Sequence, residues 1–563
     1  MRSVSFGVRK FEALLLAGSF TVLANYVVRL TDSIVAGRML GAEALAGINL
    51  ASPVLTAVTF LSGMIASGMA THYSLEMGRC NRLRAREFFM QGLWSVLICG
   101  GAFALAICFG REFFLGYLGA SESVTVHARG YLTWIWPMAV IEGLELLLVS
   151  LGYADGDVRT CSLGYVVIFV GNLVLSVAGV KLGFGTAGCA VGSLVSGLIG
   201  VAVLSTHFLR SSNTFAPVRH FALVDTWRIF FASFGDAAAY LCDGLIFLFL
   251  NKFTIVHFGS GLLPTVGVIA ILWGLFEFMN GLGVAIQPIV TVYYGEGNMK
   301  SVRTVMSAAL WAGLVEGLLM MAVLLLFPRQ IAALCGLTDP AHIGNSVFAI
   351  RCLSAVTVPL AMAGIFNSYY MFVERPVFAA VVTFLCYFVL PVVCVSIGSI
   401  FGEGGVWVGL GVGPFSGLVF TSLIIVALCG ARVFPLLLPR DRDARIHVFN
   451  LWLDDRQIVD ISRRVGELPG VPMQASLLVE EVLMVVKDRA RGRRLLGEVT
   501  VDLNSGVLVT LRDDGEIFDI TDADLQITSL RSYLVASMMC AHDGRTNLIT
   551  TGFNRNIFRF DPV

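Results

Sequence analysis

The sequence predicts an all-α polytopic membrane protein, about twelve transmembrane helices in two six-helix repeats, followed by a cytoplasmic α/β sandwich domain. Three observations predict it. The chain is 56% hydrophobic and only 14% charged, with a mean hydropathy of +0.81; an ordinary soluble domain carries about 25% charge. Apolar runs long enough to cross ~30 Å of hydrocarbon recur as far as about residue 430. One frame, F-G-x-x-G-x-x-V-G, occurs at Phe184–Gly192 and again at Phe401–Gly409, each time between two apolar runs.

The first six runs fall near 12–35, 46–71, 89–110, 127–152, 161–180 and 186–208. The second six fall near 226–253, 262–291, 304–327, 346–371, 375–399 and 404–428. Further landmarks repeat at nearly the same offset: Leu40-Gly41 is echoed by Phe258-Gly259, and Gly78 with Arg84 by Gly297 with Arg303. The division expected is an N-terminal bundle over 1–215, a C-terminal bundle over 216–435, a basic linker over 436–445 and a tail domain over 446–563. In secondary transporters such repeats place substrate and ion sites near the bilayer midplane and let the halves rock. The first run is too long for a signal peptide and lacks a small-residue cleavage site.

Loop charge sets the expected orientation. Arg2, Arg9 and Lys10, then Arg79, Arg82, Arg84 and Arg86, then Arg159, Arg210, Arg219, Lys300, Arg303 and Arg375 all fall on one side. The opposite loops carry mostly single charges: Arg38, Arg111, Arg129, Lys181, Lys252 and Arg329. By the positive-inside rule both termini are cytoplasmic, in a cytoplasmic (inner) membrane. The twelve cysteines are scattered without a C-x-x-C pair, so neither a metal site nor a disulfide scaffold is expected, and no feature suggests a nucleic-acid partner.

A charge at the bilayer centre is costly, so it should face a cavity or a partner. Asp32 lies deep in the first run, with Arg29 one turn earlier on the same face; it is either an ion or proton site or half of an ion pair. Asp243 lies mid-way along the seventh run with Asp236 two turns before it, Glu142 and Glu145 lie in the fourth, and Glu277 in the eighth. Asp243, Glu142, Glu145 and Glu277 are the candidate substrate-cavity residues. Pro137, Pro288, Pro359 and Pro391 fall inside runs, where prolines kink helices.

The phrases Leu30-Thr-Asp32-Ser-Ile-Val-Ala-Gly37-Arg-Met-Leu-Gly41-Ala-Glu-Ala-Leu-Ala46, Gly156-Asp157, Gly171-Asn172 and Gly185-Thr-Ala-Gly188 together resemble the multidrug and toxic compound extrusion (MATE) family over about residues 10–430. The resemblance implies two six-helix bundles around a central cavity, and an antiporter coupled to H⁺ or Na⁺ that exports organic, cationic or amphipathic compounds. In the family subgroup with a cation site in the N-terminal bundle, the first-helix aspartate corresponds to Asp32, and the Asn and Thr positions to Asn172 and Ser193. Ser176 stands where a second aspartate belongs. With one carboxylate missing, a proton, or a site moved to Asp243, is favoured over that form of Na⁺ binding, because a proton needs only one carboxyl of tunable pKa.

After the basic linker, strands are expected near 447–453, 497–503 and 506–512, helices from Asp454 and over 473–491, a helix near 527–540, and closing strands near 546–551 and 556–561. Glu480-Glu481 and Asp513-Asp514-Gly515 resemble the ATP-binding domain of anti-sigma-factor serine kinases and histidine kinases. There the Glu supports catalysis, an Asn four residues on helps hold Mg²⁺, and the Asp of D-x-G reads adenine. Glu481, Asp513 and Gly515 match, but Val485 replaces the Asn and no glycine-rich lid follows Asp519. A degenerate nucleotide site without hydrolysis, no cofactor, and a docking or regulatory role are therefore expected.

The expected partners are the lipid bilayer, a small organic substrate and the protein's own cytoplasmic loops. The acidic turn Asp513-Asp514-Gly515-Glu516 would meet Arg79–Arg86 or Lys300–Arg303 and bias the inward-open state. Two other functions compete: a flippase of lipid-linked glycans, which would have a more basic cavity, and a membrane sensor signalling through the kinase-like tail.

Overall fold

The computed structural model of this chain describes residues 5–118, 122–210, 213, 215–334, 340–438, 443–490, 492–504, 506–515, 546–547 and 554–560. Among the described residues eleven helices are long and apolar enough to cross a membrane, or twelve with a bent pair counted as one span. In order they are span 1 (Phe6–Met39), span 2 (Glu43–Gly78), span 3 (Arg82–Gly116), span 4 (Glu122–Ile135 and Met138–Ala154), span 5 (Val158–Lys181) and span 6 (Gly185–Leu209). The second set is span 7 (Leu223–Phe258), span 8 (Leu263–Gly295), span 9 (Met299–Leu326), span 10 (Ile343–Phe372), span 11 (Pro376–Phe401) and span 12 (Glu403–Cys429). The apolar runs found in the sequence all correspond to these spans.

Three of these four prolines sit at breaks. Span 4 bends by 52° between its two helices, with Pro137 at the joint. Pro288 lies inside a helix that follows a 3₁₀ turn over Glu277–Asn280. Pro391 follows a π-turn over Leu385–Val389, and Pro359 a 3₁₀ turn over Ser354–Val356. At Pro137, Pro359 and Pro391 the altered hydrogen-bond register beside the ring accommodates the missing N–H.

The repeated frame has a packing cause. Gly185 (φ +58°) and Gly402 (φ +87°) turn the chain into spans 6 and 12 in a conformation that favours glycine. One turn later, an added Cβ on Gly188 would lie 2.6 Å from the backbone of Gly179 in span 5. One on Gly405 would lie 1.9 Å from the carbonyl oxygen of Gly398 in span 11. In both halves the hairpin closes backbone to backbone, the way small residues let membrane helices approach.

The halves meet on the side that bears the tail. Gly78, ending span 2, sits so close to span 8 that a Cβ would lie 2.6 Å from the Val292 carbonyl oxygen and 3.1 Å from the Gly295 Cα. Arg79 bridges the halves to Glu374 at 2.8 Å. Nearer the centre, Gly18 of span 1 packs on Gly281, and Ser233 of span 7 donates to the Met64 carbonyl at 2.6 Å.

In the tail, β1 (Ile446–Trp452), β2 (Leu496–Asp502), β3 (Val507–Asp513), β4 (Thr546–Asn547) and β5 (Asn554–Phe560) form an antiparallel sheet in the order β1-β2-β3-β5-β4. The helices Asp455–Gly466, capped by the Asp454 side chain, and Met473–Arg489 cover one face. Val499, Val501, Val509, Leu511, Phe558 and Phe560 alternate toward them and build that core. The strands expected near 447–453, 497–503, 506–512 and 556–561 and the helices from Asp454 and over 473–491 correspond; of the strand expected near 546–551 only Thr546–Asn547 is described, and the helix anticipated near 527–540 lies outside the described residues.

Overpacking a backbone contact costs about 1–3 kcal/mol or more. Gly188→Leu and Gly405→Leu should therefore each lower the melting temperature in detergent, whereas Gly116→Leu, with nothing within 4 Å of an added Cβ, should leave it unchanged.

Candidate functional site

Span 1 places Asp32 inside the N-terminal bundle, 3% exposed. Spans 4, 5 and 6 each direct hydroxyl or amide donors at it. Tyr131 Oη donates to Oδ2 at 2.8 Å and Ser193 Oγ donates to the same oxygen at 2.7 Å. Ser176 Oγ donates to Oδ1 at 3.2 Å, and Asn172 Nδ2 donates to Oδ1 at 3.4 Å and to Ser193 Oγ at 2.6 Å. Asn172 and Ser176 stand four residues apart on one helix face. Gly192 lets span 6 close on them, since its Cβ would lie 2.6 Å from Ser176 Oγ. Asp32, Asn172, Ser176 and Ser193 are thus brought to one point. Tyr131 was not foreseen: an aromatic hydroxyl 99 residues away in an apolar span carries no local signal. The side chains of Arg29 and Glu277 lie outside the described residues.

Between the halves a cavity of about 160 Å³ is lined by both bundles. Asp236 and Asp243 reach it from span 7, together with Tyr153, Tyr165, Tyr240 and Tyr387. Trp273 Nε1 donates to Asp243 Oδ1 at 2.7 Å, and Gln287 Nε2 donates across the halves to Thr71 Oγ1 at 3.2 Å. Among the described residues lining this cavity there is no Arg or Lys.

Glu142 and Glu145 require a correction, because they stand one layer behind the cavity. Glu142 accepts a 2.8 Å hydrogen bond from Thr59, which does line it. Glu145 turns toward span 6, where a Cβ on Gly197 would lie 2.7 Å from its Oε1. That buried oxygen has no hydrogen-bond partner among the described residues. The helical phase of span 4 after the Pro137 bend sets both directions, and the bend angle is not legible in the sequence.

In the tail, Asp513 is already engaged: its Oδ1 accepts from Asn554 Nδ2 at 2.9 Å and from the Gly515 N–H at 3.0 Å. Burial pushes its carboxyl up to about 6, against those two bonds. Glu481 lies on the helix Met473–Arg489, and one turn on Val485 is buried in the apolar core. The helix face that carries the Mg²⁺-binding amide in the resembled family is thus apolar packing here.

The tail's contact with the membrane part differs in charge from the expected one. Asp513 and Asp514 of the acidic turn attract Lys10 at the start of span 1, while the ion pairs of the contact are made by arginines of the sheet. Glu498, Arg512 and Arg555 form one cross-strand row on the face opposite the helices, and all three are fully buried. Burial pushes Arg512 down to about 10, so it stays charged near neutrality. The alternation of charged with apolar residues along β2, β3 and β5 was the signal available for this face.

The MatE family profile matches residues 18–178 and 246–396. The chain belongs to the MatE family. Members of this multidrug and toxic compound extrusion family are secondary transporters rather than enzymes, and so is this protein. Its helical frame is similar to that of a MOP superfamily transporter from Pyrococcus furiosus, described as having a binding pocket of reverse polarity: TM-score 0.69, 19% identity, covering 75% of this chain and 96% of that one. It is similar to a multidrug resistance MATE transporter in an outward-facing conformation: TM-score 0.69, 20% identity, 76% and 99% covered. A MATE transporter in the bent conformation gives a TM-score of 0.67 at 19% identity, with 76% and 98% covered. Comparison with curated protein sequences finds no match. Family and frame are consistent with efflux of drugs or toxic compounds.

With Val485 in the core position, the full-length protein should show no Mg²⁺-dependent ATP turnover in a phosphate-release assay. Turnover that disappears in Glu481→Ala would contradict this.

Proposed function

We propose that this MATE transporter is a cation-coupled antiporter that exports organic cations across the cytoplasmic membrane, with both termini cytoplasmic, Asp32 as the coupling group and H⁺ as the coupling ion. The observation that carries the reading is the saturation of the Asp32 carboxylate. Each of its oxygens accepts two hydrogen bonds, so its lone-pair directions are taken up. A hard metal cation wants several oxygen ligands presented to it, whereas here amide N–H and hydroxyl O–H groups point inward. A proton needs less: one hydroxyl rotates away and the new carboxylic O–H takes its place.

Such a step has a mechanical consequence. Asp32 ties the far half of span 1 to spans 4, 5 and 6, while Gly7, Gly18 and Tyr26 of the same helix rest on Tyr293, Gly281 and Gly274 of the other half. Protonation weakens one anchor of a helix that both halves hold. Deprotonation restores four charge-assisted bonds, each stronger than a neutral one, and re-seats span 1. The central cavity supplies the second element: Asp236 and Asp243 with four tyrosines suit an organic cation, through a carboxylate and the faces of aromatic rings. A flippase of anionic lipid-linked glycans fits this acidic lining poorly.

Asp32→Asn should abolish proton-driven efflux from proteoliposomes while leaving the protein folded and still able to bind substrate. Efflux at the wild-type rate would remove Asp32 from the mechanism. Asp243→Asn should weaken equilibrium binding of a cationic substrate by about 1.5–3 kcal/mol, the range for a hydrogen bond to a charged group, with little effect on a neutral one.

A further inference from the structure

The membrane-facing row of the tail sheet holds two arginines side by side. Arg512 and Arg555 are cross-strand partners, and like charges directly opposite each other destabilise a sheet. Within the row there is one carboxylate, Glu498, 2.7 Å from Arg512 Nη1. The second is supplied by the transporter. Glu296, the residue just after span 8, pairs through Oε2 with Arg512 and through Oε1 with Arg555 Nε at 3.0 Å. Arg555 then reaches across the joint between the halves: Nη1 donates to the Met77 carbonyl at 3.1 Å and Nη2 to the Gly78 carbonyl at 2.9 Å. Those carbonyls are the last of span 2, so a guanidinium sits at the negative end of a helix dipole.

We infer that the tail is a clasp on the tail-side gate, with Arg555 as its latch between spans 2 and 8. The rest of the dock lies mainly on the C-terminal half. Tyr293 Oη donates to both oxygens of Glu498 at 3.1 Å. Lys300 Nζ donates to the Ile446 carbonyl at 3.4 Å, and Arg303 Nη1 donates to the Leu438 carbonyl of the linker at 3.1 Å. The sheet therefore travels with the C-terminal half. Among the described residues it touches the N-terminal half in two places: the start of span 1, where Phe6 N–H donates to Asn450 Oδ1 at 2.7 Å and the Arg9 guanidinium lies over the Trp452 ring, and the end of span 2, gripped by Arg555. When Gly78 and Gly295 part, the latch has to give up two backbone carbonyls and leave a buried cation half-partnered. The clasp thus favours the state closed on the tail side, the opposite of the inward-open bias expected from an acidic turn. A tail that holds a gate shut sets the resting conformation of the transporter and gives a regulator of the tail a direct handle on it.

The test is a distance across the gate in the full-length protein, reconstituted without substrate or ion gradient, so that its outcome is independent of the coupling ion. Spin labels on p-acetylphenylalanine at Leu83 and Val377, exposed positions at the tail-side ends of spans 3 and 11, report the separation of the halves. The wild-type protein should give a dominant short distance. Arg555→Gln should raise the longer-distance population relative to the shorter by about 5- to 150-fold, the ordinary range of a coupling between sites. Arg559→Gln, exposed on the same strand, should behave as wild type. Glu296→Gln removes the shared carboxylate without touching the tail and should shift the population in the same direction; it decides the matter if Arg555→Gln does not fold. A wild-type distribution in the folded Arg555→Gln protein, or in Glu296→Gln where that variant decides, overturns the clasp.

Discussion

The structure depends on one buried carboxylate. A lone charge in the hydrocarbon core would cost several kcal/mol, and Asp32 is tolerated because Tyr131, Asn172, Ser176 and Ser193 replace the water it has lost. Those donors come from three other spans, so satisfying the charge also fixes how spans 1, 4, 5 and 6 pack. Position and protonation are therefore linked. In the proposed coupling, a change of a single proton at Asp32 alters the packing of a whole helix, and that helix touches both halves.

Close backbone approach makes the cluster possible. Gly192 lets span 6 lie against Ser176, and Gly188 lets it lie against Gly179. The corresponding pair in the other half, Gly405 on Gly398, packs as tightly, with no comparable buried carboxylate beside it among the described residues. Duplication has thus kept the hairpin geometry in both halves, while the polar donors occupy only the first. On the tail side the same economy recurs, where Gly78 and Gly295 bring spans 2 and 8 together and leave helix-end carbonyls for Arg555 to collect.

Much of this was legible in the sequence, for physical reasons. Hydrocarbon thickness enforces long apolar runs, so the spans stand out, and the cost of a buried charge singles out Asp32 and Asp243. Asn172, Ser176 and Ser193 were reached through a family pattern, and they do converge on Asp32. Tyr131 escaped because a tyrosine in an apolar span looks like packing until a distant partner is known. Glu142 and Glu145 were misplaced because the 52° bend of span 4 changes which face meets the cavity. The arginine row escaped for a different reason: buried charge on a strand is readable only when both faces of the sheet are known to be covered.

The central claim is that Asp32 itself exchanges a proton during the cycle. Infrared difference spectroscopy on the reconstituted protein across a pH step tests it most directly. A carboxylic C=O band should appear on acidification in the wild-type protein and be missing in Asp32→Asn, with the Asp243→Asn protein retaining it. A band that persists unchanged in Asp32→Asn would contradict the account and place the titrating carboxyl elsewhere.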